Sequence, residues 1–398
     1  MTDVSTLTID GLAPRSVVAP GSPEELASLL QAADQTGEAV APVGGGTQLE
    51  LGMPLTRLDT AIETTALNRL VEYEPADLTV TVEAGMRFSA LQRMLGEQGQ
   101  FLALDPPVQD GATIGGLIAT NASGPLRYSY GTARDLVIGT RVANPDGTLT
   151  RAGGRVVKNV AGYDLNKLYI GSLGTLAIVV ELSFKVAPIP PATATVVGRF
   201  NDSSSLRNVI GAVVRSPLSP LAIELEGSTQ VVFRVGGYPQ AVERQVRDLS
   251  AQIVQNGGRV VDAGPSAWED LARDRVLARQ RDVVVKATAP LSLSVSLVEI
   301  LETHLRDFTP TVWAHAGSGV AYVACDMVSD ASVLEKGRRD IAGLGANSSL
   351  VIERAPTVLK QSIDVWGDQG ASVGLMRRLK DKLDPKHTLN PGRYVGGI

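Results

Sequence analysis

Four glycine-rich turns stand at separated points of the chain: Pro42-Val43-Gly44-Gly45-Gly46-Thr47-Gln48, the segment Ala112–Gly124 (ATIGGLIATNASG), Gly171-Ser172-Leu173-Gly174-Thr175, and Leu389-Asn390-Pro391-Gly392-Arg393. Glycine carries no Cβ, so such turns let main-chain N–H groups come close to a ligand. Oriented N–H groups suit an anion, a pyrophosphate among them. Each turn by itself reads as a structural or flexible turn; four together point to a large ligand gripped mainly by main chain. Two phosphate-binding motifs are excluded. No G-x-G-x-x-G runs from a strand into a helix, and Gly44–Thr47 lacks the lysine of a P-loop. The single cysteine, Cys325, excludes an internal disulfide and a four-cysteine iron–sulfur cluster. Within the apolar run Val320–Cys325 it reads as a small core residue.

The elements that must carry these turns are legible in part. Ser22-Pro23-Glu24-Glu25 starts a helix, with Ser at the N-cap, Pro next and Glu25 closing a capping box; Leu26, Leu29, Leu30 and Ala33 share one face, and Gly37 ends it. Ala39–Val43 reads as a strand feeding Gly44, and residues 1–20 as a loose lead-in. Leu78–Glu83 alternates like a half-buried strand and Phe88–Glu97 follows as an amphipathic helix. Ile114–Thr120 reads as a short helix with Thr113 near its start, where Gly115 and Gly116 are costly unless something packs closely on them. Leu136–Ala143 reads as a strand turning at Pro145-Asp146-Gly147. Tyr163–Leu168 has the pattern of a short helix, and Leu176–Val180 that of a buried strand. Pro188, Pro190 and Pro191 break the chain. Beyond them Ala222–Glu226, Val231–Val235, Val283–Ala287 and Val320–Cys325 read as strands and Ala241–Asn256 as a helix, the pattern of an antiparallel sheet with helices on one face.

At 398 residues, 44% hydrophobic and 20% charged, the chain has the composition of a soluble globular protein of two domains. Its net charge of −5 and 4% aromatic content give no reason to expect nucleic acid or an acidic membrane surface. No run approaches the ~20 apolar residues of a membrane span, and the N-terminus has no signal-peptide pattern. The expected location is the cytoplasm, or the inner face of a membrane reached through partners.

Taken with their order and spacing, the four turns resemble the FAD-binding domain of the vanillyl-alcohol-oxidase and p-cresol-methylhydroxylase superfamily. The run KNVAGYDLNKL (158–168) followed by GSLGTLAIV (171–179) is most similar to its D-lactate and glycolate oxidase branch. That resemblance implies an α+β chain: an FAD-binding domain over residues 1–190, an α+β cap domain with an antiparallel sheet over 191–370, and a segment over 371–398 returning to the first. It implies FAD held by Pro42, Val43, Gly44, Gly45, Gly46, Thr47 and Gln48, by Asp105 and Pro106, and by Thr113, Gly115, Gly116, Ala119, Asn121, Ser123 and Gly124. Gly171, Ser172, Gly174, Thr175, Ile178, Asn390 and Arg393 complete the set, and Lys158, Asn159, Tyr163 and Asp164 would line the flavin pocket. Some members attach the flavin through a His or Cys near the first turn. Gln48 and Leu49 stand there, and the three histidines are His304, His315 and His387, so non-covalent FAD is expected.

Catalytic members of the branch carry His-x-Gly-Asp-Gly-Asn-x-His and, later, Glu-His, which supply metal ligands and a base. The matching stretch runs from His315 to Tyr322, with Ser318, Val320 and Tyr322 in place of Asp, Asn and the second His, and Glu353-Arg354 in place of Glu-His. A divalent site needs more ligands than remain, so no metal is expected and His315 reads as a packing residue with a hydrogen bond. Three readings stay open. The first is an FAD-binding subunit of a glycolate oxidase complex, partnered by a catalytic flavoprotein subunit and an iron–sulfur subunit and supporting oxidation of a short 2-hydroxy acid. The second is a self-sufficient FAD dehydrogenase of another alcohol or hydroxy acid, with Tyr163, Tyr322 or His315 as its metal-free base. The third is a structural subunit without flavin.

Overall fold

The computed structural model describes residues 7–107, 110–154, 163–328 and 330–398. The chain forms two compact units: residues 1–123, 131–189 and 368–398 make the first, and residues 124–130 and 190–367 the second.

In the first unit, β1 (Ser16–Val18), β2 (Val40–Val43) and β3 (Thr60–Glu63) form a parallel sheet in the order β1-β3-β2. The lead-in is therefore not loose throughout: three residues too short to show alternation pair with Thr60–Ile62. β4 (Leu70–Glu74), β5 (Thr79–Glu83), β7 (Val137–Ala143), β8 (Leu149–Gly153) and β9 (Ile178–Lys185) form an antiparallel sheet in the order β4-β5-β9-β7-β8. The short β6 (Gln100–Phe101) and β10 (Ala187–Pro188) pair with each other. β9 starts later and runs farther than its apolar run predicts. Thr175 Oγ1 donates to the Ser172 carbonyl at 2.7 Å, so the turn is still closing there. At the far end Glu181 and Ser183 continue the strand because they have partners: Arg141 and Arg151 bind Glu181, and Thr81 binds Ser183.

Helix Pro23–Thr36 begins with Ser22 Oγ accepting from the Glu25 N–H and ends at Gly37, with φ 73°. Glu25 closes its box one residue further back than the motif implies, on the Gly21 N–H. Leu26 and Leu30 pack with Val40, Ile62, Val180 and Leu389, joining helix, both sheets and C-terminal segment in one core. Each such side chain contributes about 1.5–3 kcal/mol by burial. Helices Phe88–Gly96 and Ile114–Ala119 pack on the antiparallel sheet through Phe88, Leu91, Leu95, Ile114 and Ile118. The short helix near Tyr163 covers Asn166–Tyr169 instead of 163–168.

The second unit is an eight-stranded antiparallel sheet. Its strands are β11 (Ala192–Arg199), β12 (Ala222–Glu226), β13 (Gln230–Gly237), β14 (Arg259–Val261), β15 (Val283–Thr288), β16 (Thr311–His315), β17 (Val320–Cys325) and β18 (Ser349–Arg354). Their order is β14-β11-β13-β12-β16-β17-β15-β18. Helices Pro239–Gln255, Ser294–Leu305 and Ala331–Ala342 pack on it, and helix Ala267–Ala278 lies against the face bearing Glu224, Trp313 and Tyr322. The molecule is α+β, as its sequence pattern indicates. Cys325 is buried in β17, and desolvation pushes its thiol up to about 11.

Candidate functional site

The first unit contains an open cleft with about 900 Å³ of free space, its mouth included. Gly44, Gly45, Gly46, Thr47 and Gln48 line it where β2 ends, with Pro42 behind them. Thr113, Gly115, Gly116 and Ala119 line it from the short helix, Ser172, Gly174 and Ile178 from the entry to β9, and Asn390 and Arg393 from the C-terminal segment. These walls interlock through their glycines. A Cβ on Gly44 would collide with Thr113 Oγ1, and one on Gly45 with the Gly111 carbonyl oxygen; one on Gly174 would come within 2.7 Å of Pro42 Cγ. Gly46 differs: its added Cβ would meet only Leu49 Cδ1, at 4.0 Å. Gly115 packs on Ala84, where a Cβ would approach the Ala84 Cβ to 2.8 Å, so the glycine pair both packs and lines the cleft.

Backbone strain gathers around this cleft. Leu173, Asn121 and Asn390 have φ of 54°, 51° and 44°, a region that costs a non-glycine residue about 1–3 kcal/mol and persists only when neighbours fix it. Leu173 is fixed from both sides: its N–H donates to Ala119 O at 2.9 Å and its carbonyl accepts from Asn390 Nδ2 at 2.7 Å. Arg393 donates to the Leu49 carbonyl and has Nη1 3.9 Å from Asp10 Oδ2. Burial brings its pKa down to about 10, which leaves it a cation at neutral pH.

The second unit buries a different kind of cluster. Glu224 and His315 are cross-strand partners on β12 and β16, and His315 Nδ1 lies 2.8 and 3.0 Å from the two Glu224 oxygens. Arg275 Nη1 donates to Glu224 at 2.6 Å, and its Nη2 binds Glu226. Tyr322 stands edge-on to His315 and stacks on Trp313, with ring centroids 5.4 and 5.3 Å apart. Glu353 pairs with Arg279 at 2.5 Å and Lys286 at 3.7 Å; despite its burial these cations hold its carboxyl below the usual range. Burial lowers the His315 pKa against the opposing pull of Glu224. Among the described residues no group of three or more His, Cys, Asp or Glu is placed to hold a metal ion. Glu224 serves Arg275 as well as His315, Val320 is an apolar core residue, and Tyr322 is taken up by Trp313.

Residues 14–153 match the family described as an FAD binding domain. An FAD-binding domain of this kind therefore occupies that part of the chain. A mitochondrial cytochrome D-lactate dehydrogenase of Arabidopsis thaliana is 28% identical over 96% of this chain and 73% of its own length. Glycolate oxidase subunit GlcD of Bacillus subtilis is 25% identical over 96% and 88%. Glycolate oxidase subunit GlcE of Escherichia coli reaches 35% over a shorter stretch, 45% of this chain and 50% of that subunit. Among solved structures, p-cresol methylhydroxylase superposes with a TM-score of 0.77 at 14% identity, covering 96% of this chain and 88% of that one. Alkyldihydroxyacetonephosphate synthase superposes at 0.70 and 18%, covering 95% and 77%. The fold is theirs.

The residues present in the first unit of this flavoprotein fit FAD. The cleft is walled by main chain at Gly44–Gly46 and Gly174, and a Cβ added at Gly46 would meet nothing nearer than Leu49 Cδ1. At the exit of helix Ile114–Ala119, Asn121 Oδ1 and Ser123 Oγ are also buried with no partner among the described residues, but neither residue lines the cleft, so they are no part of that fit. Several expected contacts do not line the cleft. Val43 turns into the core with Ala41 and Leu55. Asp105, Pro106, Asn121, Ser123, Gly171 and Thr175 lie outside the lining, and Gly124 falls in the second unit. The hydroxyls of Ser172 and Thr175 close their own turn on the carbonyls of Tyr169 and Ser172, so neither has its proton left to donate to a ligand. Tyr163 is 93% exposed and Asp164 pairs with Lys167 at 3.1 Å, so neither lines the cleft. Lys158 and Asn159 lie outside the described residues. Sequence reasoning missed Ile9, Leu49, Thr64, Leu117, Thr120, Leu173, Ala177 and Val179. Leu117 and Thr120 were within reach, since helical spacing from Thr113 and Gly116 puts them on the same face; Ile9 gave no signal of its own.

Proposed function

We propose that this chain is the FAD-binding subunit of a glycolate oxidase or dehydrogenase complex that oxidises a short 2-hydroxy acid and passes the electrons to a partner. The cleft of the first unit holds one FAD non-covalently through Gly44–Gly46, Gly115, Gly116, Gly174, Asn390 and Arg393. Bound there, FAD supplies a two-electron acceptor. The residues around it hold and orient it; the main-chain walls keep its phosphates and rings in place, and Arg393 braces the Leu49 wall. The observation that carries the subunit reading is the cluster around His315. In a self-sufficient enzyme a base must take the hydroxyl proton, and a metal can acidify that hydroxyl. Here one imidazole remains, tied to a carboxylate that also serves Arg275. The similarity to both GlcD and GlcE, subunits by name, supports a complex; the partners in this reading are a catalytic flavoprotein subunit and an iron–sulfur subunit. No helix among the described residues is long and apolar enough to cross a membrane.

A second reading has an observation of its own. The match to D-lactate dehydrogenase spans 96% of the chain, and a neutral His315 donating Nδ1–H to Glu224 keeps its other nitrogen as an acceptor. In that reading the chain turns over alone with His315 as base. Anaerobic mixing of the FAD-loaded chain with glycolate, and separately with D-lactate, decides between them. The subunit reading expects the flavin to stay oxidised until partner subunits are added. Rapid bleaching by the chain alone would overturn it and promote the dehydrogenase.

A further inference from the structure

Lys380, on helix Ser372–Leu383 of the first unit, is fully buried. Lysines are rarely buried unless paired, and this one has an acceptor for each N–H. Nζ donates to the Thr175 carbonyl at 2.7 Å, to the Leu389 carbonyl at 2.9 Å and to Asp384 Oδ2 at 2.6 Å. Asp384, also buried, accepts from the N–H groups of Thr388 and Leu389 at 3.0 and 2.8 Å.

The acceptors are what give this ammonium a role. Thr175 follows Gly174 and Leu389 precedes Asn390; Gly174 and Asn390 line the FAD cleft, while Thr175 and Leu389 do not. Leu389 also bridges to Val40 in the parallel sense, with Val40 N–H donating to Thr388 O at 2.8 Å and Asn390 N–H to Val40 O at 2.9 Å. β2 leads from Val40 straight into Gly44–Gly46. One side chain therefore ties the β9 turn, the C-terminal turn and, through Leu389, the first glycine turn from behind. An apolar side chain of the same length fills the space but leaves two carbonyls and a carboxylate short of a donor.

We infer that Lys380 is a positioning residue for the FAD cleft: through Thr175 and Leu389 it sets the spacing of the walls that hold the cofactor, without touching it. The inference rests on the reading of the cleft as the FAD site.

The test is an FAD titration of the full chain, wild type against Lys380→Met, with Lys382→Met on the exposed side of the same helix as control. A double variant, Lys380→Met with Asp384→Asn, removes the stranded carboxylate. Weaker FAD binding by about tenfold or more is expected in both the single and the double variant, since the lost bonds come from a charged donor. The flavin they retain should show a visible spectrum shifted toward that of free FAD, and Lys382→Met should match wild type. Wild-type affinity and spectrum in Lys380→Met would overturn the inference while leaving the FAD site standing. A wild-type chain that takes up no FAD removes the site and the inference with it. If the variants fail to fold, hydrogen exchange on the wild-type chain decides. The amides of Thr388 and Leu389, outside the cleft, should slow when FAD is added; unchanged exchange there overturns the inference.

Discussion

At His315 two forces act on one imidazole in opposite directions. Desolvation favours the neutral ring, the Glu224 carboxylate favours the charged one, and burial prevails, so the pKa lies below its ordinary 6.5. The sign of the resulting pH dependence follows. In the unfolded chain the ring takes up a proton as pH falls through about 6.5, whereas in the fold it resists until a lower pH. Its neutral burial is without penalty above 6.5, and the second unit loses stability as pH drops from there toward the folded value. Urea unfolding at a series of pH values across that range should show the decline in wild type and a shallower one in His315→Gln. An identical slope in both would contradict this account of the residue. On the subunit reading His315→Ala also leaves the activity of the assembled complex largely unchanged, because the imidazole there serves structure. Cys325 needs no role beyond packing, since its buried thiol stays protonated through the physiological range.

At the scale of elements, the turns matter more for what they press against than for what they leave open. Gly45 is glycine because the Gly111 carbonyl occupies the Cβ position, and Gly174 because its φ is 67° and Pro42 lies against it. Substitution at either moves one cleft wall against another. Gly46, with φ 73° and open space beyond, separates conformation from ligand contact. Gly46→Ala should cost the apo-protein about 1–2 kcal/mol for the left-handed backbone and weaken FAD binding beyond that, because Gly46 lines the cleft. Gly45→Ala should lower apo-protein stability more steeply. Equal losses of FAD affinity and stability in Gly46→Ala would mean that its surface does not face the cofactor. These cases also show what a sequence can disclose. Helix Pro23–Thr36 was legible to within a residue because its cap, stripe and Gly37 stop are local signals. The short helix after Thr113 was legible from its cap, and the four turns from their glycines. The far half of strand β9 was not, because Glu181 and Ser183 break the apolar run and are accommodated only by partners on neighbouring strands. β1 and Ile9 were lost to shortness, and Lys380 to its type: a lysine in a helix reads as a solvated face until the carbonyls behind it are seen.

At the scale of the molecule, the two units divide the chemistry of a flavoprotein. The first offers a main-chain cleft suited to a dinucleotide, and its C-terminal segment returns to complete one wall through Asn390 and Arg393. The second offers an antiparallel sheet whose buried polar groups pair with one another: Glu224 with His315 and Arg275, and Glu353 with Arg279 and Lys286. In the function proposed above, the chain holds and positions FAD while a partner supplies what the His315 cluster lacks. Everything else rests on the cofactor and the manner of its binding. The direct measurement is the flavin content of the purified chain before and after acid precipitation. The account predicts one FAD per chain, all of it released into the supernatant, with apo-protein that takes up added FAD again. Flavin that stays with the precipitate, or a colourless chain that binds no added FAD, would contradict it.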